Sequence, residues 1–270
     1  MSQTEKPLLE LKNVDMDFKQ GRGFFHALQD INFSVYDKDF ICLLGPSGSG
    51  KTSILNLLAG YNRPTGGEVL FDGKPHLKPT PDIGVVFQQQ NLFPWLTVYK
   101  NVEFGLKNKK IPAGERKDIV WHYLKLVGLE AAAEKLPHQL SGGMKQRATI
   151  ARTLAPDPRI VLFDEPFSAL DALTREKMQE HVHAIWEKSG KCFFFITHDV
   201  DEALTLSRRI IVMKAEPGRI QADYENPISG RGINAGNIRD VKGYREIREE
   251  IISMIQSRED MEISRLLKAG

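Results

Sequence analysis

The feature of this 270-residue sequence that most restricts its fold is a glycine-rich loop, GPSGSGKT, at residues 45–52. The loop fits the pattern G-x-x-x-x-G-K-[ST] at every defined position. An apolar, strand-like run at residues 40–44 precedes it, and a helix-competent run at residues 53–59 follows it. In such an arrangement, backbone amides and the positive end of the helix dipole point at phosphate oxygens. The sequence therefore predicts a phosphate-binding loop in an α/β fold, in preference to a chance glycine turn.

Two side chains of this loop are expected to complete the phosphate site. Lys51 is expected to reach the β and γ phosphates of a nucleotide, and the Thr52 hydroxyl is expected to bind Mg²⁺. The predicted phosphate-contacting residues are Gly45, Pro46, Ser47, Gly48, Ser49, Gly50, Lys51, Thr52 and Ser53.

Composition indicates a folded chain without a membrane span. The sequence is 41% hydrophobic and 27% charged, and 37 basic against 35 acidic residues leave a net charge of +2. This balance argues against disorder of the whole chain and against a nucleic-acid partner. The longest apolar run, residues 192–196, is far shorter than the roughly 20 residues of a membrane-spanning helix, and no secretory signal is evident. We therefore expect a cytosolic protein, in which Cys42 and Cys192 are buried reduced thiols.

Short apolar runs mark the candidate strands. They lie at residues 8–14, 31–35, 40–44, 69–71, 83–87, 160–163, 193–197 and 210–213. Several lack polar alternation, which is typical of parallel strands covered on both faces by helices. A further strand is expected to return as a hairpin from residue 220. Residues 94–155 show helical patterns and no convincing strand, so we expect a helical insertion between sheet-forming segments.

Helical periodicity predicts which faces are buried. In residues 174–188 the predicted stripe is Met178, Val182, Ile185 and Trp186. In residues 115–127 the predicted face is Ile119, Tyr123, Leu126 and Val127. Residues 226–237 are predicted to be an exposed linker. The residues repeating at helical spacing after this linker are Tyr244, Ile247, Ile251 and Ile255. This last pattern predicts an amphipathic helix that packs on the domain or on a partner.

A second motif, at residues 160–165, is an apolar strand that ends in two carboxylates. The carboxyl end of a parallel strand faces the ligand crevice of an open α/β sheet. Asp164 is therefore a candidate for the Mg²⁺ shell, and Glu165 is a candidate base for an attacking water. Alone, such a pattern is often a solvated turn or a helix cap, and its weight comes from the phosphate loop.

A third motif, LSGG at residues 140–143, opens a helical run that begins at residue 145. Ser141, Gly142 and Gly143 would form a second anion site, because free amides and a hydroxyl converge at a helix start. One nucleotide rarely needs two such sites from one chain, so a head-to-tail pair of chains is the economical arrangement. An ordinary serine cap beside a glycine turn is the alternative.

In this order, the motifs resemble the ATP-binding subunits of ABC transporters, over about residues 8–217. The resemblance implies a phosphate-loop NTPase cassette with a mainly parallel core sheet, an antiparallel β portion and a helical subdomain. It also implies ATP and Mg²⁺ as ligands. Residues 1–225 would form the ATPase domain, with the helical subdomain at about 94–155, and residues 226–270 would form a linker and a C-terminal helical extension.

The resemblance also assigns roles to further residues. Gln88 matches the glutamine that touches Mg²⁺ and the attacking water, Asp171 belongs to the loop that crosses to the partner cassette, and His198 matches the histidine near the γ-phosphate. Glu165, His198 and Gln88 are thus the expected catalytic residues, and Thr52, Gln88 and Asp164 the expected Mg²⁺ ligands.

An aromatic residue of the first strand region stacks on adenine in this family. Phe18 best fits this place, and Phe24 and Phe25 are the alternatives because residues 21–23 are an insertion. Phenylalanine would contribute stacking alone, since it lacks the hydrogen-bonding edge of tyrosine or tryptophan.

The segments NLFPW at residues 91–95 and PFSALDALTR at residues 166–175 resemble the nitrate, taurine and alkanesulfonate importers. This implies uptake of a small anion or sulfonate, with taurine or an alkanesulfonate first and nitrate second. The expected partners are a second copy of the cassette, membrane permease subunits that dock near residues 93–95 and, indirectly, a periplasmic or extracellular solute-binding protein. The chain would then act at the cytoplasmic face of the membrane.

Three alternatives remain at this point. The chain could be an importer subunit for another small solute, or a soluble ABC ATPase outside transport. A phosphate-loop kinase or GTPase would use Lys51 and Thr52 but has no need of the LSGG motif. Near residues 93–95, a core role for Trp95 competes with the docking role.

Overall fold

The computed structural model describes residues 6–21, 23–168, 170–229 and 236–255. By its contacts the chain divides into two compact units. The first unit comprises Met1–Pro79 and Phe195–Gly270, and the second comprises Thr80–Phe194.

The strands in chain order are β1 (Leu9–Gln20), β2 (Gly23–Val35), β3 (Phe40–Leu44), β4 (Gly66–Phe71), β5 (Lys74–Pro75), β6 (Ile83–Val86), β7 (Ile160–Asp164), β8 (Cys192–Thr197), β9 (Arg209–Lys214) and β10 (Arg219–Glu225). The α-helices of the described residues are α1 (Lys51–Leu58), α2 (Val98–Asn108), α3 (Ala113–Leu126), α4 (Gly142–Leu154), α5 (Ala172–Ser189), α6 (Val200–Leu206) and α7 (Tyr244–Ile255).

An antiparallel sheet of the first unit has the strand order β2-β1-β4-β5. Strands β1 and β2 form a long hairpin in which Leu9 pairs with Val35 and Gln20 pairs with Gly23. The sequence predicted only the ends of these strands at residues 8–14 and 31–35. The hairpin's outer part was missed because its side chains are mostly exposed and include no continuous apolar run.

A second sheet of the first unit is built on β3, whose five residues are all buried. Its strand order is β10-β9-β3-β8, where β9 is parallel to β3 and antiparallel to β10. Strand β10 is the hairpin return predicted from residue 220. Strand β8 begins in the second unit and ends in the first.

The predicted C-terminal helix is present as α7, which packs against α6 and β9 of the same unit. Tyr244 and Ile251 are its buried residues. The prediction that this helix packs back on its own domain is therefore confirmed. The prediction that residues 226–237 form an exposed linker is wrong at Asn226 and Ile228, which are both buried. Asn226 is buried because its side chain hydrogen-bonds the backbone of the preceding helix, α6. Residues 230–235 of the predicted linker and residues 256–270 of the predicted extension lie outside the described residues.

The second unit combines parallel strands with helices. Its strand order is β8-β7-β6, with β6 and β7 parallel, and α2, α3 and α4 pack on one another. No strand lies between residues 94 and 155 of this unit, as predicted. The predicted stripe of α5 is confirmed, because the residues buried there include Met178, Val182, Ile185 and Trp186.

The predicted face of α3 is only partly correct. Val127, which follows the last residue of the helix, is buried as predicted, whereas Ile119, Tyr123 and Leu126 are only half-buried. Val120 and Leu124, which were not on the predicted face, are fully buried. Apolar residues surround this helix on most sides, so periodicity left more than one face eligible for the core.

Both cysteines are buried and unbridged, as predicted. Burial raises the pKa of the Cys42 thiol well above its usual range, so this thiol stays protonated and unreactive. Among the described helices, none has the length and apolar content needed to cross a membrane.

Candidate functional site

The predicted phosphate loop joins β3 to α1 in the first unit. Gly48 and Gly50 have φ angles of +80° and +84°, a left-handed conformation that favours glycine. At Gly50 a Cβ would also lie 2.5 Å from Leu28 Cδ2. Both positions therefore favour glycine for their backbone conformation, and Gly50 also has no room for a side chain.

The side chain of Lys51 folds back over this loop. It is 7% exposed, and its Nζ donates hydrogen bonds to the backbone oxygens of Gly45 at 2.8 Å and Pro46 at 2.9 Å. Helix α1 begins without a side-chain cap and without an acidic residue in its first turn. The loop thus brings the Lys51 ammonium group together with the N-terminal amides of α1, which fits a phosphate anion.

The remaining loop residues divide by exposure. Ser47, Gly48 and Thr52 are exposed, Pro46 and Ser53 are half-buried, and Gly45 and Ser49 are buried. The Ser49 hydroxyl has no hydrogen-bond partner within the described part of the chain. The exposed Thr52 hydroxyl suits a Mg²⁺ ligand, whereas the Ser49 side chain is enclosed by protein.

In the second unit, Gln88 and the two carboxylates leave the sheet at the same edge. Val86 pairs with Phe163 in the parallel register of β6 and β7, and Gln88 and Asp164 follow shortly after these residues. Both Asp164 and Glu165 are half-buried. The strand pattern therefore brings these predicted residues into one neighbourhood.

A hydrogen-bonded chain connects this neighbourhood internally. Gln88 Nε2 donates to Ser168 Oγ at 3.0 Å, and Ser168 Oγ donates to the Glu165 backbone oxygen at 3.0 Å. Sequence reasoning assigned no separate role to Ser168. Gln88 and Ser168 are 80 residues apart, so no local pattern signalled their contact.

Two helix starts come together elsewhere in the second unit. Ser141 caps α4 by accepting a hydrogen bond from the Met144 amide at 3.3 Å, and Asp171 caps α5 by accepting one from the Thr174 amide at 3.0 Å. Hydrogen bonds from the Thr174 side chain and then from its amide lower the pKa of the Asp171 carboxyl. A Cβ on Gly143 would lie 3.1 Å from Thr174 Cγ2, so the glycine permits this close packing.

The serine-cap interpretation of the LSGG motif is therefore correct as its local role. Ser141 and Gly142 are also exposed, which leaves this helix start accessible to an anion. The second anion site remains a prediction.

The candidate adenine-stacking residues lie on the β1–β2 hairpin of the first unit. Phe18 is 39% exposed and pairs across the hairpin with Phe25, which is 47% exposed, and Phe24 is 69% exposed. All three rings offer open surface, and Phe18 and Phe25 stand opposite each other. The assignment of Phe18 thus stays a prediction.

His198 directly follows β8, the sheet neighbour of β3, and is exposed. The turn around it is tightly hydrogen-bonded. The Asp199 amide donates to Thr197 Oγ1 at 3.0 Å, and Asp199 Oδ1 accepts hydrogen bonds from the amides of Asp201 at 2.9 Å and Glu202 at 3.2 Å. The histidine is therefore presented from a fixed turn between β8 and α6.

The predicted Mg²⁺ ligands Thr52, Gln88 and Asp164 all offer oxygen atoms, the donors that Mg²⁺ prefers. The described residues contain no group of three or more His, Cys, Asp or Glu side chains arranged to hold a metal. The predicted set contains a single carboxylate, and Mg²⁺ is commonly bound by one or two carboxylates together with substrate phosphates. The three ligands remain a prediction.

An aromatic cluster lies on the second unit near α2. Trp95 is 72% exposed, so the core role considered for it is wrong. The ring centroid of Trp95 lies 5.6 Å from that of Phe93, and the Phe93 centroid lies 4.5 Å from that of Phe104. The Arg152 guanidinium lies over the Phe93 ring, 5.6 Å from its centroid. The buried Asn101 side chain holds this loop in place. Its Oδ1 accepts a hydrogen bond from the Phe93 amide, and its Nδ2 donates one to the Phe93 backbone oxygen. This surface is thus preorganised and apolar.

Comparison with known proteins agrees with these features. A family model described as "ABC transporter" matches residues 28–168. An ABC transporter ATP-binding protein of Methanocaldococcus jannaschii is 50% identical over 82% of this chain and 85% of its own length. The taurine import ATP-binding protein TauB of Pelagibacter ubique is 45% identical over 92% of this chain and 95% of its own.

Solved structures give the same result. An ATP-binding cassette, determined as a dimer in a post-hydrolysis state bound to ADP and Pi, has a TM-score of 0.71 and 36% identity over 82% of this chain and 99% of its own. The protein cbiO1 from Clostridium perfringens, part of the ABC transporter complex cbiONQ, has a TM-score of 0.74 and 29% identity over 82% of this chain and 90% of its own. The chain has the ABC cassette fold and belongs to the ABC transporter family, as an ATP-binding subunit of an ATP-driven translocase.

Proposed function

We propose that this chain is the ATP-hydrolysing subunit of an importer for taurine or a related sulfonate, with nitrate as the second candidate. The observation that supports this solute class is the similarity to taurine import proteins along almost the whole chain. The cassette itself does not contact the solute, so its own site supports the energy-supplying step.

In this proposal, ATP hydrolysis uses the residues that the sequence motifs predict. Lys51 and the loop amides bind the β and γ phosphates, and His198 steadies the γ-phosphate. Glu165 accepts a proton from the attacking water, which Gln88 helps to orient. Thr52, Gln88 and Asp164 would hold Mg²⁺, which when bound neutralises charge on the phosphate oxygens.

The chain of contacts from Gln88 through Ser168 to Glu165 is the geometric observation that best supports this chemistry. It ties the residue that orients water to the backbone of the proposed base through bonds of 3.0 Å. A base and a water-orienting group must keep a fixed relation for proton transfer to be efficient.

Two copies of the chain are proposed to pair head to tail, with ATP between them. Ser141 and the exposed amides that open α4 would then meet the nucleotide held by the facing chain's Lys51. The dimeric cassette structure with ADP and Pi supports this arrangement.

The aromatic cluster of Phe93, Trp95 and Phe104 is the proposed contact with the permease subunits. Exposed, preorganised aromatic rings are typical of protein interfaces. The chain would be held at the cytoplasmic face of the membrane through this contact and would communicate only indirectly with a periplasmic or extracellular solute-binding protein. A net charge of +2 favours no nucleic-acid partner.

The decisive experiment reconstitutes the chain with the membrane subunits that co-purify with it and with their solute-binding protein. We expect taurine to stimulate ATP hydrolysis more than an alkanesulfonate or nitrate does. Glu165→Gln preserves the side-chain shape but removes the base, and we expect turnover to fall about 100-fold or more.

Two outcomes would contradict parts of this proposal separately. Stimulation by an unrelated solute alone would overturn the sulfonate assignment but not the ATPase. A Glu165→Gln protein that hydrolyses ATP at the parental rate would overturn the assignment of the base.

A further inference from the structure

The C-terminal segment of the first unit holds both ends of the short helix α6. At the carboxyl end, Asn226 Nδ2 donates hydrogen bonds to the backbone oxygens of Leu204 and Ser207, both at 2.8 Å. At the amino end, α7 reaches Asp201, a residue of the first turn of α6. Helix α6 is therefore fastened at both ends by residues that follow β10.

The contacts at the amino end form a compact ionic cluster, which we term the α6 latch and define as Asp201, Tyr244 and Arg248. Asp201 Oδ1 accepts hydrogen bonds from Tyr244 Oη and from Arg248 Nε, both at 2.8 Å. The Arg239 guanidinium lies 3.9 Å from the other carboxylate oxygen. Charge-assisted hydrogen bonds to one carboxylate are stronger than neutral ones and fix its position.

The latch acts on the part of α6 that the core holds least. Glu202, Ala203, Leu204 and Leu206 are buried, whereas Val200 and Asp201 are only half-buried. A seven-residue helix has little stability of its own, so the polar contacts of Asp201 contribute to the order of its first turn.

This first turn is continuous with the turn that presents His198. The amide of Asp201 donates to Asp199 Oδ1 at 2.9 Å, so the residue bound by α7 is also a member of the turn that follows β8. Asp201 and His198 therefore belong to one short hydrogen-bonded turn, three residues apart along the backbone.

We propose that the α6 latch is a positioning device for His198, through which the C-terminal segment controls ATP hydrolysis. Tyr244 and Arg248 are positioning residues, since they act on the phosphate only through His198. The inference rests on the role proposed above for His198 at the γ-phosphate. The residues that follow β10 would thus have a function, because a change in how α7 docks on α6 would change the rate of ATP hydrolysis.

The structure allows the latch to be opened while α7 remains docked. Ile251 of α7 is fully buried, and Ile238 just before the helix is 1% exposed, so apolar packing holds the segment on α6 and β9. A Y244F/R248A protein loses both donors to Asp201 Oδ1 and keeps this packing. The matched control is Arg245→Ala, which removes the same charge from an exposed position of the same helix.

The test measures kcat and KM for MgATP with the full chain, together with amide hydrogen exchange at Asp201 and Glu202. For Y244F/R248A we expect kcat to fall about tenfold, KM to change less than twofold, and exchange at the two amides to accelerate. Arg245→Ala should match the parent in kcat, KM and amide exchange. When Arg248→Lys replaces Arg248→Ala, part of the lost kcat should return, because lysine keeps the positive charge.

A double-mutant cycle with His198→Ala separates positioning from general destabilisation. If the latch acts through His198, Y244F/R248A should change kcat less than twofold in the His198→Ala background. If the fold-losses in kcat of Y244F/R248A and His198→Ala multiply fully when combined, the proposal is wrong. It is also wrong if kcat per folded Y244F/R248A molecule equals that of the parent, or if Arg245→Ala loses as much kcat.

The exchange measurement distinguishes failure of the latch from failure of the proposed function. If exchange at Asp201 and Glu202 does not accelerate in Y244F/R248A, the latch is wrong whatever His198 does. If exchange accelerates but His198→Ala alone hydrolyses ATP at the parental rate, the role of His198 is wrong, and the control of hydrolysis inferred from it falls as well.

Discussion

Ser49 illustrates how one position of the phosphate loop differs from its neighbours. Its hydroxyl is buried and finds no hydrogen-bond partner among the described residues, whereas the hydroxyl of Ser47 is exposed to solvent. Burying an unsatisfied hydroxyl carries a desolvation cost. We therefore expect Ser49→Ala to raise the free energy of unfolding by about 1 kcal/mol, measured by urea denaturation.

Ser47→Ala is the matched control, since it removes the same atom from an exposed position of the same loop. Its effect on stability should be within about 0.5 kcal/mol of zero. If Ser49→Ala were less stable than the parent, the Ser49 hydroxyl would have a bonding partner in solution and its burial would not be a cost.

The secondary structure was predictable where burial was continuous. Strand β3 is buried at every residue, so its apolar run identified it, and the same holds for β8. The outer part of the β1–β2 hairpin was not predictable, because backbone pairing holds exposed side chains there. In α3 the buried residues were misassigned, since apolar residues occupy several faces and only packing against α2 and α4 selects one.

The sequence was sufficient to predict the motifs of the candidate site, but not the hydrogen bonds between residues far apart in the chain. The glycines of the loop at residues 45–52 adopt the left-handed backbone conformation that the loop needs, so the local sequence was sufficient to predict the loop. The bond between Gln88 and Ser168, and the bonds of the α6 latch, join residues 43 to 80 positions apart. No periodicity or spacing rule connects such distant residues, and only the folded chain brings them together.

The helix ends allow a prediction in which the same substitution has opposite effects. Gly114 lies in the first turn of α3 and Gly190 ends α5, and a Cβ at either position would meet no atom within 4 Å. Gly190 has a φ of +63°, whereas the φ of Gly114 is helical and suits any residue. We expect Gly114→Ala to stabilise the protein by about 0.5 kcal/mol and Gly190→Ala to destabilise it by about 1 kcal/mol.

Urea denaturation of the two single variants tests this prediction, and each serves as the control of the other. Because neither position is crowded, packing does not contribute to the difference. Stabilisation by Gly190→Ala would show that the left-handed end of α5 is not maintained in solution.

The predicted binding residues of one chain are proposed to form two half-sites, each completed by a second chain. Lys51 lies in a loop that already collects helix amides, and Ser141 opens a second exposed helix start of the same kind. In the proposed head-to-tail pair, one nucleotide bridges the two helix starts, one from each chain, and both positive helix ends stabilise its phosphates. A cassette of 36% identity has been determined as a dimer bound to ADP and Pi.

Mixing two inactive variants tests the shared site directly. Lys51→Ala removes the phosphate-binding cation. Gly142→Asp places a carboxylate at the start of α4, where a Cβ meets only Leu170 Cδ2 at 3.8 Å and an acidic residue suits the helix dipole, so the fold should tolerate it while the phosphate is repelled.

Each variant alone carries a defect in both sites of its dimer, and we expect neither to retain ATP. A mixed dimer joins one doubly defective site to one intact site. Equal mixing forms mixed dimers in about half of all pairs, so retained ATP should reach about one quarter of the parental amount, measured by rapid filtration. A mixture that retains no more ATP than the separate variants would place Lys51 and Gly142 at the same nucleotide within one chain.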